Sequence, residues 1–201
     1  MLNIINGNRA FSADVTITLH AADGSVLASQ TRVFPKNAQL KDNLMDLFGN
    51  DPKLLNQTGW LEIASSVDYI VGTLSFTDSG NNYLASYELS ANPMSHFLLP
   101  LVAQDSIFMS GIALLNNTDY PANVQLELWG TAGTLDQSAA VTLAPHTRLS
   151  EVLDKIFPGM QPRRAGNVRV LSSQPLYSMG AIFDGALHFL AAVTPAAFPE
   201  P

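Results

Sequence analysis

Residues 111–130 read GIALLNNTDYPANVQLELWG: an apolar run ending at Leu115, a polar turn opened by Asn116, then strict alternation from Asn123 to Trp129. Alternation with a period of two is the signature of a strand with one buried face. A degraded copy of this stretch opens the chain. Ile4-Ile5-Asn6, a turn and Val15-Thr16-Ile17-Thr18-Leu19 answer Leu114-Leu115-Asn116, a turn and Val124-Gln125-Leu126-Glu127-Leu128.

The correspondence runs on. Asp23-Gly24 matches Ala132-Gly133, Pro35 matches Pro145, and Leu40, Leu44 and Phe48 match Leu149, Leu153 and Phe157 at a constant spacing of 109. Gly59 to Ser66 then matches Gly166 to Ser173. Val71 to Leu74 and Tyr83 to Ala85 match Met179 to Ile182 and Phe189 to Ala191. One period of about 110 residues is too long for a solenoid repeat and has the size of a whole domain. The expectation is a tandem duplication, with domains at 1–93 and 94–201 and the breaker cluster Ser90-Ala91-Asn92-Pro93 as the linker.

Each half reads as short strands separated by turn residues. In the first half they fall at Val15–Leu19, Val26–Phe34, Gly59–Ala64, Ile70–Thr77 and Asn82–Leu89; Asp23-Gly24 supplies hairpin chemistry and Pro35 a stop. The second half gives strands near Phe97–Ala103, Ile107–Leu115, Asn123–Trp129, Gln137–Leu143, Asn167–Leu171, Leu176–Phe183 and Leu187–Val193. Leu40, Leu44, Leu47 and Phe48 recur at helical steps, as do Leu149, Leu153, Ile156 and Phe157, predicting one short helix per domain. The fold class is therefore mainly β, two tandem antiparallel β-sandwiches. Leu2–Asn6 lacks the apolar segments that precede its counterpart, His96–Ala103 and Ile107–Ser110. Either the sequence starts inside a domain of a longer protein, the preferred reading, or the first copy has lost its opening strand.

A strand ending in Leu115-Asn116, the alternating Val124–Leu128, Gly133, Pro145 and the run Gly166 to Pro175 resemble repeated Ig-like β-sandwich modules of uncharacterised secreted bacterial proteins. More distantly the pattern is similar to the sensory rhodopsin transducer sandwich, part of a wider group suspected of binding sugars. The first copy departs from it at Val67-Asp68, where the second has Gln174-Pro175. The resemblance implies an Ig-like sandwich in an extracellular or cell-surface setting, with any export signal outside this sequence, and carries over no functional residue.

Composition excludes whole classes. With 47% hydrophobic and 13% charged residues the chain is globular, and no apolar run approaches the roughly 20 residues of a membrane helix. The net charge of −7 is shared evenly, with no basic face for nucleic acid. The chain has no cysteine, hence no disulfide and no thiolate chemistry.

The search for chemistry yields few candidates. His20, His96, His146 and His188 are isolated, so neither metal nor cofactor is expected, and no nucleophile elbow or phosphate loop occurs. Glu62 stands where its copy has Arg169, which argues against a catalytic carboxylate. Asp78-Ser79-Gly80-Asn81-Asn82 has the oxygen density of a calcium loop without its bidentate acid, and reads as a hairpin turn. Asn116 of the sequon Asn116-Asn117-Thr118 reads as a turn residue, and Arg163-Arg164 as a solvated pair. Trp129 and Trp60 are expected on outer sheet faces, beside Gln125 and Glu127 and beside Glu62.

Two functions fit. The preferred one is a non-catalytic structural or protein-interaction module of a larger surface or secreted protein, whose partners are other domains or neighbouring chains. The alternative is a carbohydrate-binding module with Trp129 or Trp60 as platform and Gln125, Glu127 or His20 as hydrogen-bonding neighbours. A missing first strand would also leave a sheet edge open to a homo-oligomeric strand exchange.

Overall fold

A computed structural model describes residues 1–77 and 83–198. The protein is mainly β and antiparallel, with two short α-helices among the described residues. It divides into two compact units, the first comprising Met1–Phe76 and Ser86–Leu89 and the second the remainder. No helix among the described residues is long and apolar enough to cross a membrane. The hairpin turn expected at 78–82 lies outside the described residues.

The first unit contains β1 (Leu2–Asn6), β2 (Ala13–Ala21), β3 (Val26–Phe34), β4 (Gln39–Asp42), α1 (Leu44–Leu47), a 3-10 turn at Pro52–Leu54, β5 (Gly59–Ser65), all but the last residue of β6 (Ile70–Thr77) and the last three residues of β7 (Leu84–Glu88). Its sheets run β4-β1-β6-β7 and β3-β2-β5. Leu2 and Ile4 from one sheet and Val15 and Ile17 from the other are wholly buried, with Leu47 of α1 closing the core beside Phe34. The alternating residues of β2 thus face the opposite sheet, as their period requires.

The second unit contains β8 (Met94–Leu99), β9 (Phe108–Leu115), β10 (Ala122–Trp129), β11 (Leu135–Leu143), β12 (Arg148–Val152), α2 (Leu153–Ile156), β13 (Asn167–Asp184), β14 (Leu190–Val193) and β15 (Ala196–Ala197). Strand β13 serves both layers. Its first part pairs with β10 and β8 and its second with β9 and β14, so the layers are β11-β10-β13-β8-β15 and β12-β9-β13-β14. Removing β8 and β15 leaves the plan of the first unit, with β5 and β6 standing for the two parts of β13.

Several details differ from the sequence expectation, among them the joining of the strands expected at Asn167–Leu171 and Leu176–Phe183 into the single β13. The apolar steps from Leu40 and Leu149 lie on strands before the helix, and each helix is a single turn, because Leu40 and Leu149 pair with Ile4 and Leu114 in their sheets. The partner of Pro35 is Ala144 rather than Pro145, since these two carbonyls receive the same buried amide, from Asn6 and Asn116 respectively.

That amide is the tightest device in each unit. Asn6 and Asn116 are fully buried, and each Nδ2 donates to three carbonyls: Phe11, Phe34 and Pro35 in one unit, Tyr120, Leu143 and Ala144 in the other. Each Oδ1 accepts a backbone N–H two residues on, from Asn8 or Thr118. The clasp ties the end of β1 or β9 to the end of β3 or β11, with no buried polar atom of the side chain left open. It also accounts for Asn116 as a framework residue, since its amide nitrogen is already committed to three carbonyls.

Candidate functional site

The polar outer face of β10 and β13 gathers three of the residues singled out from sequence. Gln125, Glu127 and Trp129 project from the same face of β10 because inward Val124, Leu126 and Leu128 alternate with them. Gln125 donates to Glu127 Oε1 at 3.0 Å, and Trp129 Nε1 donates to Glu127 Oε2 at 2.9 Å. Arg169, directly opposite Glu127 on β13, lays its guanidinium over the Trp129 ring at 4.4 Å. The carboxylate is thus held by two N–H donors, and one indole face carries a cation.

Beside this row lies a shallow depression of about 510 Å³, whose lining includes Gln125, Asn123, Leu171, Thr142 and His96. Phe198 stands 6.1 Å from the His96 ring and 5.9 Å from the Arg169 guanidinium. The face is polar with aromatic edges, and its hydrogen-bonding groups are partly spent on one another.

The other two residues meet in the first unit. His20 and Trp60 oppose each other across β2 and β5, and their rings stack at 3.9 Å with an interplanar angle of 3°. His20 is held flat from both sides, Nδ1 to Gly24 O and Nε2 to Glu62 Oε2, each at 3.1 Å. Trp60 is therefore only 9% exposed rather than an open platform. Its Nε1 meets no acceptor among the described residues.

His20 and Trp129 hold the same station in their units, each just past a bulge at the end of β2 or β10. Across from them Gly59 and Gly166 permit a close approach. A Cβ would fall 1.8 Å from His20 O at Gly59 and 2.6 Å from Trp129 O at Gly166. The framework recurs while the side chains on the face do not.

Sequence reasoning missed one cluster. Arg163 and Arg164 both hold carboxylates; Arg163 is largely covered rather than solvated, while Arg164 is exposed as expected. Arg163 is 16% exposed and bonds Asp136 at 2.7 Å, while Arg164 bonds Asp105 at 2.5 Å and covers the Phe108 ring at 5.0 Å. Asp105 also accepts the Ile107 and Phe108 amides. The Phe108 amide, then Arg164 and the Ile107 amide, pull its pKa down to about 2. An Asp followed two and three residues later by free amides is a turn signal visible in sequence, but its cation lies 59 residues away. His146 contacts Asn117 and Asp119, and His188 lies by Asp184; no three metal-ligating side chains converge among the described residues.

The fold and this face define an antiparallel β-sandwich protein. Residues 90–174, less than half of the chain and all within the second unit, match the model of a family described as Family of unknown function (DUF5719). No curated protein and no solved structure shows significant similarity to the chain.

Proposed function

We propose that the chain is a non-catalytic structural and interaction module, a duplicated Ig-like sandwich belonging to a larger surface or secreted protein. One observation carries this reading. What is built twice is architecture: the Asn6 and Asn116 clasps, the Gly59 and Gly166 approaches and the strand plan. The aromatic and charged side chains at matching places differ, with His20, Trp60 and Glu62 in one unit against Trp129, Asn167 and Arg169 in the other, while the small edge residues Ser66 and Ser173 are kept and accept the same kind of amide. A duplicated module kept for its shape would retain framework and let its faces diverge. Shared chemistry would instead demand a shared face.

Sugar binding is the second reading, favoured by Trp129 beside the depression with Gln125, Glu127 and Arg169 around it. Both tryptophans already spend a ring face or an N–H within the protein, which weakens it. Affinity electrophoresis of the wild type, Trp60→Ala and Trp129→Ala through a panel of polysaccharides separates the two. Unretarded migration of all three is the expected result; retardation abolished by Trp129→Ala would replace the module reading with a carbohydrate-binding one.

A further inference from the structure

The two asparagine clasps are alike in geometry and differ at the next residue. Asn6 is followed by Gly7 and Asn116 by Asn117, and Asn6-Gly7 is the one Asn-Gly step in the sequence. Asparagine is a labile residue, and most so where the amide nitrogen that follows it is least screened. Glycine, with no Cβ, screens it least.

The fold holds this step closed. The Asn6 side chain is fully buried, with Nδ2 donating to Phe11 O and Phe34 O at 3.1 Å and to Pro35 O at 3.2 Å. Its Oδ1 accepts the Asn8 amide at 3.0 Å, and the Gly7 N–H donates to Tyr69 O at 2.9 Å. Attack of the Gly7 nitrogen on Asn6 Cγ needs that N–H released, the side chain turned out of the clasp and water to complete the reaction. None of these conditions is met while β1 lies between β4 and β6.

We propose that Asn6-Gly7 is a deamidation site gated by the fold of the first unit: inert while the unit is closed, reactive once β1 leaves its sheet, and unable to rebuild the clasp after reaction. In the opened chain the Gly7 nitrogen gives up its proton and bonds to Asn6 Cγ. The Cγ–Nδ2 bond breaks, ammonia leaves and a succinimide closes. Water then adds at Cγ to give aspartate, or at the Asn6 backbone carbonyl carbon to give isoaspartate; no oxidant or reductant takes part.

Either product bars return. Aspartate aims a carboxylate at the carbonyls of Phe11, Phe34 and Pro35, acceptor against acceptors. Isoaspartate lengthens the backbone at Asn6 against its partner Ile70 on β6. The second unit, where the Asn117 side chain screens the nitrogen after Asn116, keeps its clasp through the same exposure. Opening is thus recorded in one unit only, and the chemistry is the same whether the module binds a protein or a sugar.

The test incubates the full chain at mildly alkaline pH in native buffer and in guanidinium chloride, and follows the tryptic peptide ending at Arg9 by mass spectrometry and an isoaspartate assay. In denaturant Asn6 is expected to convert ahead of every other asparagine. In native buffer its conversion should be at least about tenfold slower, as even a modest opening free energy requires. Gly7→Ala should suppress conversion in denaturant, where folding of the variant is immaterial. Refolding by dilution is then read through Trp60 emission in a Trp129→Phe background. The control is the same chain held in guanidinium chloride at mildly acidic pH, where the succinimide route stalls. The share of chain regaining native emission should fall in step with conversion of Asn6.

Equal rates in native buffer and denaturant would overturn the gating. Conversion of Asn8 or Asn117 ahead of Asn6 would overturn the choice of site. Full recovery of emission and of the urea midpoint by the converted chain would show that return is not barred. None of these touches the glycan result, so this site and the module reading fail separately.

Discussion

The imidazole of His20 lies parallel to the indole of Trp60, ring centroids 3.9 Å apart, and is pinned there by Gly24 O and Glu62. The stack closes the ring that would otherwise be the first unit's aromatic platform. In a Trp129→Phe background Trp60 is the sole tryptophan, so its fluorescence reports on the stack. His20→Ala should shift the emission to longer wavelength and cost about 1 kcal/mol of stability. Unchanged emission would mean that His20 does not shield Trp60 in solution.

The buried asparagines set the cost of disturbing the framework. Asn116→Ala leaves the carbonyls of Tyr120, Leu143 and Ala144 without their donor. A loss on the order of 3 kcal/mol follows, measured by urea unfolding, because buried polar groups are being left unpaired. Asn116→Asp should be worse, since it aims an acceptor at three acceptors. Thr118→Ala, which removes the hydroxyl's bonds to Asn116 Oδ1 and Tyr120 O and its acceptance of the Tyr120 amide but leaves the three Asn116 Nδ2 bonds in place, should cost clearly less than Asn116→Ala.

Glycine at the close approaches is a second framework requirement. Gly166 has φ of +109° and its missing Cβ would meet Trp129 O; at Gly59 the obstacle is His20 O. Alanine at either place must push β10 from β13 or β2 from β5, at about 1–3 kcal/mol. Trp129 emission should report Gly166→Ala and Trp60 emission Gly59→Ala. If each change is silent in the ring beside it, the approach is looser than described.

Why was the fold legible and the face not? Alternation in Val124–Leu128 and its echo in Val15–Leu19 specify strands through side-chain direction alone, which is local. Asn116 was legible as the end of a strand, but not as a clasp, because its acceptors Leu143 and Ala144 lie more than twenty residues on. Outward placement of Trp60 followed from the same period, yet its closure depends on His20, a strand away. Arg163 looked solvated for the same reason: Asp136 reaches it only after the sheet has formed. The merging of two expected strands into β13, and the single-turn helices, likewise reflect pairing between distant segments rather than local preference.

Trp129 tests how tightly the second face is held. Arg169→Ala removes the cation above the ring while leaving the bond to Glu127. The change should quench or shift Trp129 emission in a Trp60→Phe background and destabilise by about 0.5–1 kcal/mol, the range for an exposed cation–π pair. Arg169→Lys should recover only part of the effect, because an ammonium does not stack as a planar guanidinium does. Full recovery by lysine would show that charge alone matters there.

Asp105 gives a pH signature. Its carboxylate accepts the Phe108 and Ile107 amides and the Arg164 guanidinium, which hold its pKa at about 2 against the ordinary 3.8. A folded-state pKa below the unfolded one means that the charged form favours folding. The contribution is therefore fully present above about pH 4 and disappears as pH falls from there through about 2. Urea midpoints of the wild type and Asp105→Asn, taken at several values from pH 6 to pH 2, isolate it, because the other carboxylates titrate in both proteins. The gap between the two should be widest at neutral pH and shrink on acidification. A constant gap across that window would show that Asp105 acts through shape and neutral hydrogen bonds, and that Arg164 contributes nothing by its charge.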